Sequence, residues 1–109
     1  MYEENAVLHA LCTRRSVRSY DSTKPVEQEK IQAVLTAGQY APTGMNRMPT
    51  KFVVIRNPEM LHQLSNQNAE IMGAADRDPF YGAPVAILVL VDSTVQTWVE
   101  DGSLAMGAM

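Results

Sequence analysis

The chain has 109 residues, enough for one small unit of fold. With 46% hydrophobic and 19% charged residues it has the make-up of a folded protein, which excludes a disordered, collagenous or low-complexity chain. Nine Lys+Arg against twelve Asp+Glu give a net charge of -3, a balance that argues against general nucleic-acid or anionic-membrane binding. Cys12 is the single cysteine, so no disulfide forms within the chain, and a lone thiol suits a reducing compartment. Glu3 and Glu4 stand where a secretion signal needs positive charge. The longest uncharged apolar run, Gly82 to Val91, is about half the ~20 residues a membrane span needs. The expectation is a cytoplasmic protein that binds neither membrane nor nucleic acid, read as one unit over residues 1–109.

In chain order, Asn5 to Thr13 reads as a helix with Val7, Leu8 and Leu11 on one face. It runs into Arg14-Arg15-Ser16, and Asp21-Ser22-Thr23-Lys24-Pro25 is turn chemistry. A second helix is predicted from about Val26 to Tyr40, with Glu27 and Glu29 in its first turn and Ile31, Val34 and Leu35 on its apolar face. Ala41 to Pro49, broken by two prolines and a glycine, is predicted to be irregular. Phe52-Val53-Val54-Ile55 is a short strand, and Asn57-Pro58-Glu59 then starts a helix that carries Leu61, Leu64, Ile71 and Met72. Asp76 to Ala83 is a loop, and Val85 to Val91 a second strand. A last helix from Val95 aligns Val95, Trp98, Val99, Gly102 and Met106 in one stripe.

Both strands are apolar on both faces, the pattern of strands covered on two sides. Two such strands alone would leave open edges. The last helix ends without a polar face or a stop signal. The chain therefore reads as an α+β unit, a central sheet flanked by helices, incomplete without a partner chain or a C-terminal continuation.

Chemistry concentrates in two segments. Thr13 to Tyr20 holds Arg14, Arg15 and Arg18 with Ser16, and in an extended conformation Arg14, Ser16 and Arg18 share one side. Guanidinium forks and a hydroxyl suit a phosphate dianion. The plainer reading is a solvated helix end whose basic residues complement the dipole. The loop Ala41 to Pro49 offers Thr43, Gly44, Asn46 and Met48 on a rigid frame that can approach a planar ligand, or is a plain connection. His9 and His62 read as structural or surface residues and Cys12 as a helix-packed bystander. Asp76, Asp78, Glu100 and Asp101 read as solvated or capping residues. No cluster has metal-ligand spacing.

Together the segments resemble the FMN-dependent nitroreductase family of flavin oxidoreductases. The resemblance rests on Arg-Arg-Ser-Val-Arg-Ser-Tyr (14–20), Ala-Pro-Thr-Gly-Met-Asn-Arg-Met-Pro-Thr-Lys-Phe-Val-Val-Ile (41–55) and Phe-Tyr-Gly-Ala-Pro-Val-Ala-Ile-Leu-Val (80–89), in that order. It spans essentially the whole chain but corresponds only to the N-terminal part of the family's fold. It implies that Arg14, Arg15, Ser16 and Arg18 hold the FMN phosphate and ribityl chain. It implies that Pro42, Thr43, Asn46 and Met48 belong to a loop reaching the flavin of the other subunit. Asn68 matches, by helix register alone, a residue that bonds the pyrimidine edge of the isoalloxazine. The helix from Val95 is similar to the long helix at the heart of a homodimer.

The implied activity is ping-pong electron transfer from NAD(P)H through FMN to a nitro compound, a quinone or a similar small acceptor, with no side chain acting as general acid or base. The alternative is an FMN- or nucleotide-binding module, or a fragment, without turnover. Met48 stands where glutamine is common in the family, and Thr50 where an aromatic residue is common.

Overall fold

A computed structural model describes residues 4–109. Helix α1 covers Ala6–Thr13, and its start is fixed by Asn5, whose Oδ1 accepts from the backbone N–H of Val7 and Leu8, both at 3.1 Å. Val7, Leu8 and Leu11 do share a face, but nothing among the described residues covers it: every described residue from 4 to 25 is exposed. Cys12 is exposed with them, so it is not packed into a helix interface as the sequence suggested.

After an extended run, Asp21 closes a turn by accepting at Oδ1 from Thr23 N–H (2.9 Å) and Thr23 Oγ1 (2.6 Å). The same tripeptide, Asp92-Ser93-Thr94, folds in the same way with the same two distances. In both turns the threonine's hydrogen bonds hold the aspartate carboxyl below its ordinary pKa.

Helix α2 runs Gln28–Gln39, two residues shorter at its start than the periodicity predicts, and buries Ile31 and Gly38. Strand β1 (Thr50–Ile55) pairs antiparallel with β2 (Ala86–Val91), in a register that sets Thr50 opposite Val91 and Ile55 opposite Ala86. Between them helix α3 spans Pro58–Ile71 without a break, capped by Asn57 Oδ1 on Met60 N–H at 3.0 Å. It ends in a left-handed glycine: Gly73 (φ 70°) donates to Glu70 O and Ala74 N–H to Ala69 O, the double bond pattern of a Schellman terminus. The inward residues of α3 are Ser65 and Ala69, whereas Ile71 and Met72 are exposed.

Helix α4 covers Trp98–Ala108 and packs against both strands and α2. It starts later than expected because residues 92–97 form successive turns, Val95 N–H to Asp92 O and Trp98 N–H to Val95 O. Its orientation settles which side of the stripe faces the chain. Of the stripe Val95, Trp98, Val99, Gly102 and Met106 only Gly102 is buried, while Trp98, Val99 and Met106 face out of the chain. The inward side is Asp101, Gly102 and Ala105. A Cβ on Gly102 would lie 2.7 Å from Val91 Cγ2, so glycine lets helix and strand touch.

Helix α4 lies on the strand face that carries Val91, and Ile55, on the opposite face, is the single fully buried strand residue; half-buried residues lie on both faces. The fully buried apolar side chains of the described residues are Ile31, Ile55, Ala69 and Ala105. The radius of gyration is 15.9 Å, against about 13 Å for a compact chain of this length. No described helix is long and apolar enough to cross a membrane.

Candidate functional site

The arginine segment leaves α1 with Arg14 in an extended conformation (φ -53°, ψ 147°). Arg14 Nη2 donates to Ser16 Oγ at 3.1 Å, so these two side chains share one side, as alternation along an extended backbone requires. Arg15 turns back. Its Nη1 donates to the carbonyls of Arg14 (2.8 Å) and Thr13 (3.3 Å), the helix-end role that the plainer reading gave the cluster. Arg18 is exposed, and Tyr20 OH donates to Val17 O at 3.1 Å.

The loop between α2 and β1 is built differently. Residues Gly44–Asn46 make one 3-10 turn in a stretch that the sequence reads as wholly irregular. Three side-chain-bearing residues sit in the left-handed region: Met45 (φ 55°), Asn46 (φ 54°) and Met48 (φ 50°). Asparagine tolerates this conformation, but each methionine there costs roughly 1–2 kcal/mol. Gly44, the residue that would take such a conformation most cheaply, does not. It is glycine because a Cβ there would overlap the Thr97 side chain.

Hydrogen bonds fix the loop. Met48 N–H donates to Thr43 Oγ1 at 3.1 Å, Asn46 N–H to Thr43 O at 3.1 Å, and Gly44 N–H to Asp101 Oδ1 at 2.9 Å. Asp101 is not the solvated residue the sequence suggests: it is 2% exposed, and its Oδ2 accepts from Thr97 Oγ1 at 2.8 Å.

Pro42, Thr43, Asn46 and Met48 line a cavity of about 860 Å³, with Leu35 and Phe52 on its apolar side. Four of the nine sequence-predicted site residues thus come together. Arg14, Arg15, Ser16 and Arg18 do not line this cavity, and neither does half-buried Asn68, whose carbonyl accepts from Met72 N–H at the end of α3. Sequence reasoning missed Asp101 and Thr97. An acid in the first turn of a helix reads as a complement to the dipole, and nothing local reveals a partner 57 residues away.

A second cavity of about 820 Å³ lies between the 22–25 turn, α3 and the 75–84 loop, and is bordered by Lys24, Arg56, His62 and Arg77. Asp78 organises that loop. Its Oδ1 accepts from Ser65 Oγ (2.6 Å) and Phe80 N–H (2.9 Å), and its Oδ2 from Gly82 N–H (2.7 Å). These bonds, the serine's foremost, hold its carboxyl below the ordinary carboxylate range.

A model of the Nitroreductase family matches residues 11–105. A protein of Methanothermobacter thermautotrophicus, provisionally named an NADH dehydrogenase/NAD(P)H nitroreductase, is 38% identical over 103 residues, which are 91% of this chain and 50% of that one. A similarly named protein of Archaeoglobus fulgidus is 34% identical over 103 residues, covering 90% of this chain and 55% of its own. The crystal structure of a nitroreductase with bound FMN from Bacteroides fragilis superposes with a TM-score of 0.84 at 27% identity, over 95% of this chain and 62% of that one. The chain thus spans about half the length of the curated relatives it matches. With the arginine segment, the 41–55 loop and strand, and the 80–89 strand all inside the matched region, the chain belongs to the nitroreductase family and has that family's α+β fold.

Proposed function

We propose that the whole protein is an FMN-dependent oxidoreductase that takes electrons from NAD(P)H and passes them to a nitro compound, a quinone or a similar small acceptor. The observation that carries this reading is the separation of two complementary half-sites. One is an exposed guanidinium–hydroxyl pair, Arg14 and Ser16, with Arg18 two residues on. The other is an open cavity under a rigid loop lined by Pro42, Thr43, Asn46 and Met48. The donor set of the first suits a phosphate monoester. The second has the mixed polar and apolar lining that a planar ring needs.

The two half-sites do not meet on one cavity of the chain, which supports a homodimer with the flavin at the interface, each copy supplying one half. Arg14, Ser16 and Arg18 would hold the phosphate and ribityl chain, with Arg15 bracing the helix end behind them. Loop 42–48 would lie against the ring, and Asn68 would come to the site's polar edge. When bound, FMN supplies the electron-accepting and electron-donating centre, so that NAD(P)H reacts and departs before the acceptor binds. The chain's own residues bind, orient and exclude water; none is needed as a general acid or base. Residues 1–109 act as one unit in this account, and the exposed free thiol of Cys12 suits a reducing compartment such as the cytoplasm.

Initial rates with NADH or NADPH varied at several fixed concentrations of a nitro acceptor test the scheme. Parallel double-reciprocal lines are expected; converging lines contradict ping-pong turnover. FMN binding without NAD(P)H oxidation would leave a flavin-binding module in place of an enzyme.

A further inference from the structure

We infer that Asp101 is a positioning residue: its buried carboxylate clamps the loop 43–48 in the left-handed conformation that lines the cavity. Three observations on different elements converge on it. The carboxylate lies in the first turn of α4 and is 2% exposed, yet both oxygens are engaged, Oδ1 by Gly44 N–H and Oδ2 by Thr97 Oγ1. A buried acceptor with two charge-assisted bonds holds its donors more firmly than a surface pair would. Next, Gly44 opens the one stretch of the described residues where three residues with side chains take positive φ within four positions. Thr43 holds the turn from within, through Asn46 N–H and Met48 N–H, and the Gly44 N–H bond to Asp101 is the side-chain bond that ties this strained turn to another element. Finally, the anchor fits without slack. A Cβ at 44 would overlap the Thr97 side chain, itself bonded to Asp101, so a side chain there must displace either Thr97 or the loop and disturb the anchor.

The chain of action runs from α4, which packs on both strands, through Asp101 and Gly44 to Asn46 and Met48 at the cavity. The site residues themselves are exposed and would otherwise sample other turns. Asp101 touches no ligand; it acts by removing the loop's freedom in advance, which lowers the ordering cost of binding. The effect on flavin rests on the function proposed above, whereas the clamp itself does not.

Amide hydrogen exchange at Gly44 and Met48, together with FMN titration, tests this in the full-length protein with Asp101→Ala, Asp101→Asn and Gly44→Ala. Asp101→Ala is expected to speed exchange at both amides about tenfold or more, equal to about 1.4 kcal/mol, while the amides of β1 and β2 keep their protection. Asp101→Asn keeps an acceptor for Gly44 and is expected to restore most of that protection. FMN should bind about tenfold more weakly to the alanine variant and nearly normally to the asparagine one. Gly44→Ala, which leaves Asp101 in place, should loosen Met48 in the same way and decides the matter if Asp101→Ala does not fold. Unchanged exchange at Met48, or equal loosening of the sheet, overturns the clamp. A loosened loop with unchanged FMN affinity overturns its positioning role. Failure of the unaltered protein to take up FMN contradicts the flavin reading alone, because the exchange comparison needs no ligand.

Discussion

Arg14 and Ser16 already share a hydrogen bond on an exposed segment, so under the proposed function a phosphate would meet donors that need little reorganisation. Replacing Arg14 or Arg18 by Ala is expected to weaken FMN binding about tenfold or more each, since bonds to charged groups are the strong ones. Arg15→Ala should do less, because that guanidinium is spent on the carbonyls of Thr13 and Arg14. Fluorescence quenching titrations of the three variants check the order, and equal losses for all three would contradict it. Asp78 is a residue-scale pH device. Its carboxyl is held low chiefly by the Ser65 hydroxyl, so the folded form has the lower pKa. Such a group contributes stability that is present above the unfolded value near 3.9 and lost as pH falls through the folded one. Ser65→Ala should therefore cost about 1 kcal/mol at neutral pH and flatten the acid limb of stability below about pH 4. Denaturant midpoints across pH 2–7 would show it. The sequence marks the arginines and the loop by composition, but not Asp101, whose partners are fixed only once α4 docks.

At the scale of elements, every helix and strand predicted from periodicity and caps is present, and Asn5, Asn57 and Pro58 mark their helix starts where the sequence places them. The facing of α4 was not legible. Beyond Ser103 its residues are small or apolar all round, and the acids of its first turn read as dipole complements, so periodicity does not choose a side; the close approach of Val91 to Gly102 shows the side taken. Nor was the backbone of 45–48, where methionines rather than the glycine take positive φ. The end of α3 offers a clean test of backbone reasoning. Gly73 has φ 70° and open space around its Cβ position, so Gly73→Ala meets no clash and pays only for the left-handed conformation. A loss of about 1 kcal/mol is expected in thermal or denaturant unfolding. A gain would show that the terminus rearranges.

For the molecule as a whole, surface is the telling quantity. Its accessible area is 8533 Å², against about 6,000 Å² for a compact monomer of this mass. The excess is of the size that obligate interfaces bury. It includes the outward apolar side chains of α1, Val7 and Leu11, and of α4, Trp98, Val99, Leu104 and Met106. Under the proposed function a second copy covers part of this surface and completes the flavin site. Trp98→Glu combined with Met106→Glu is expected to shift the full-length protein from dimer to monomer in sedimentation velocity and to lower FMN retention in step. A dimer that persists with FMN bound would place the interface elsewhere.

The most direct measurement is the visible absorption spectrum of the full-length protein after incubation with FMN and desalting. Flavin bands retained at about one FMN per chain, and lost in Arg14→Ala combined with Arg18→Ala, are the predicted result. A colourless protein, or bands unaffected by removing both arginines, would contradict the assignment of this site to FMN.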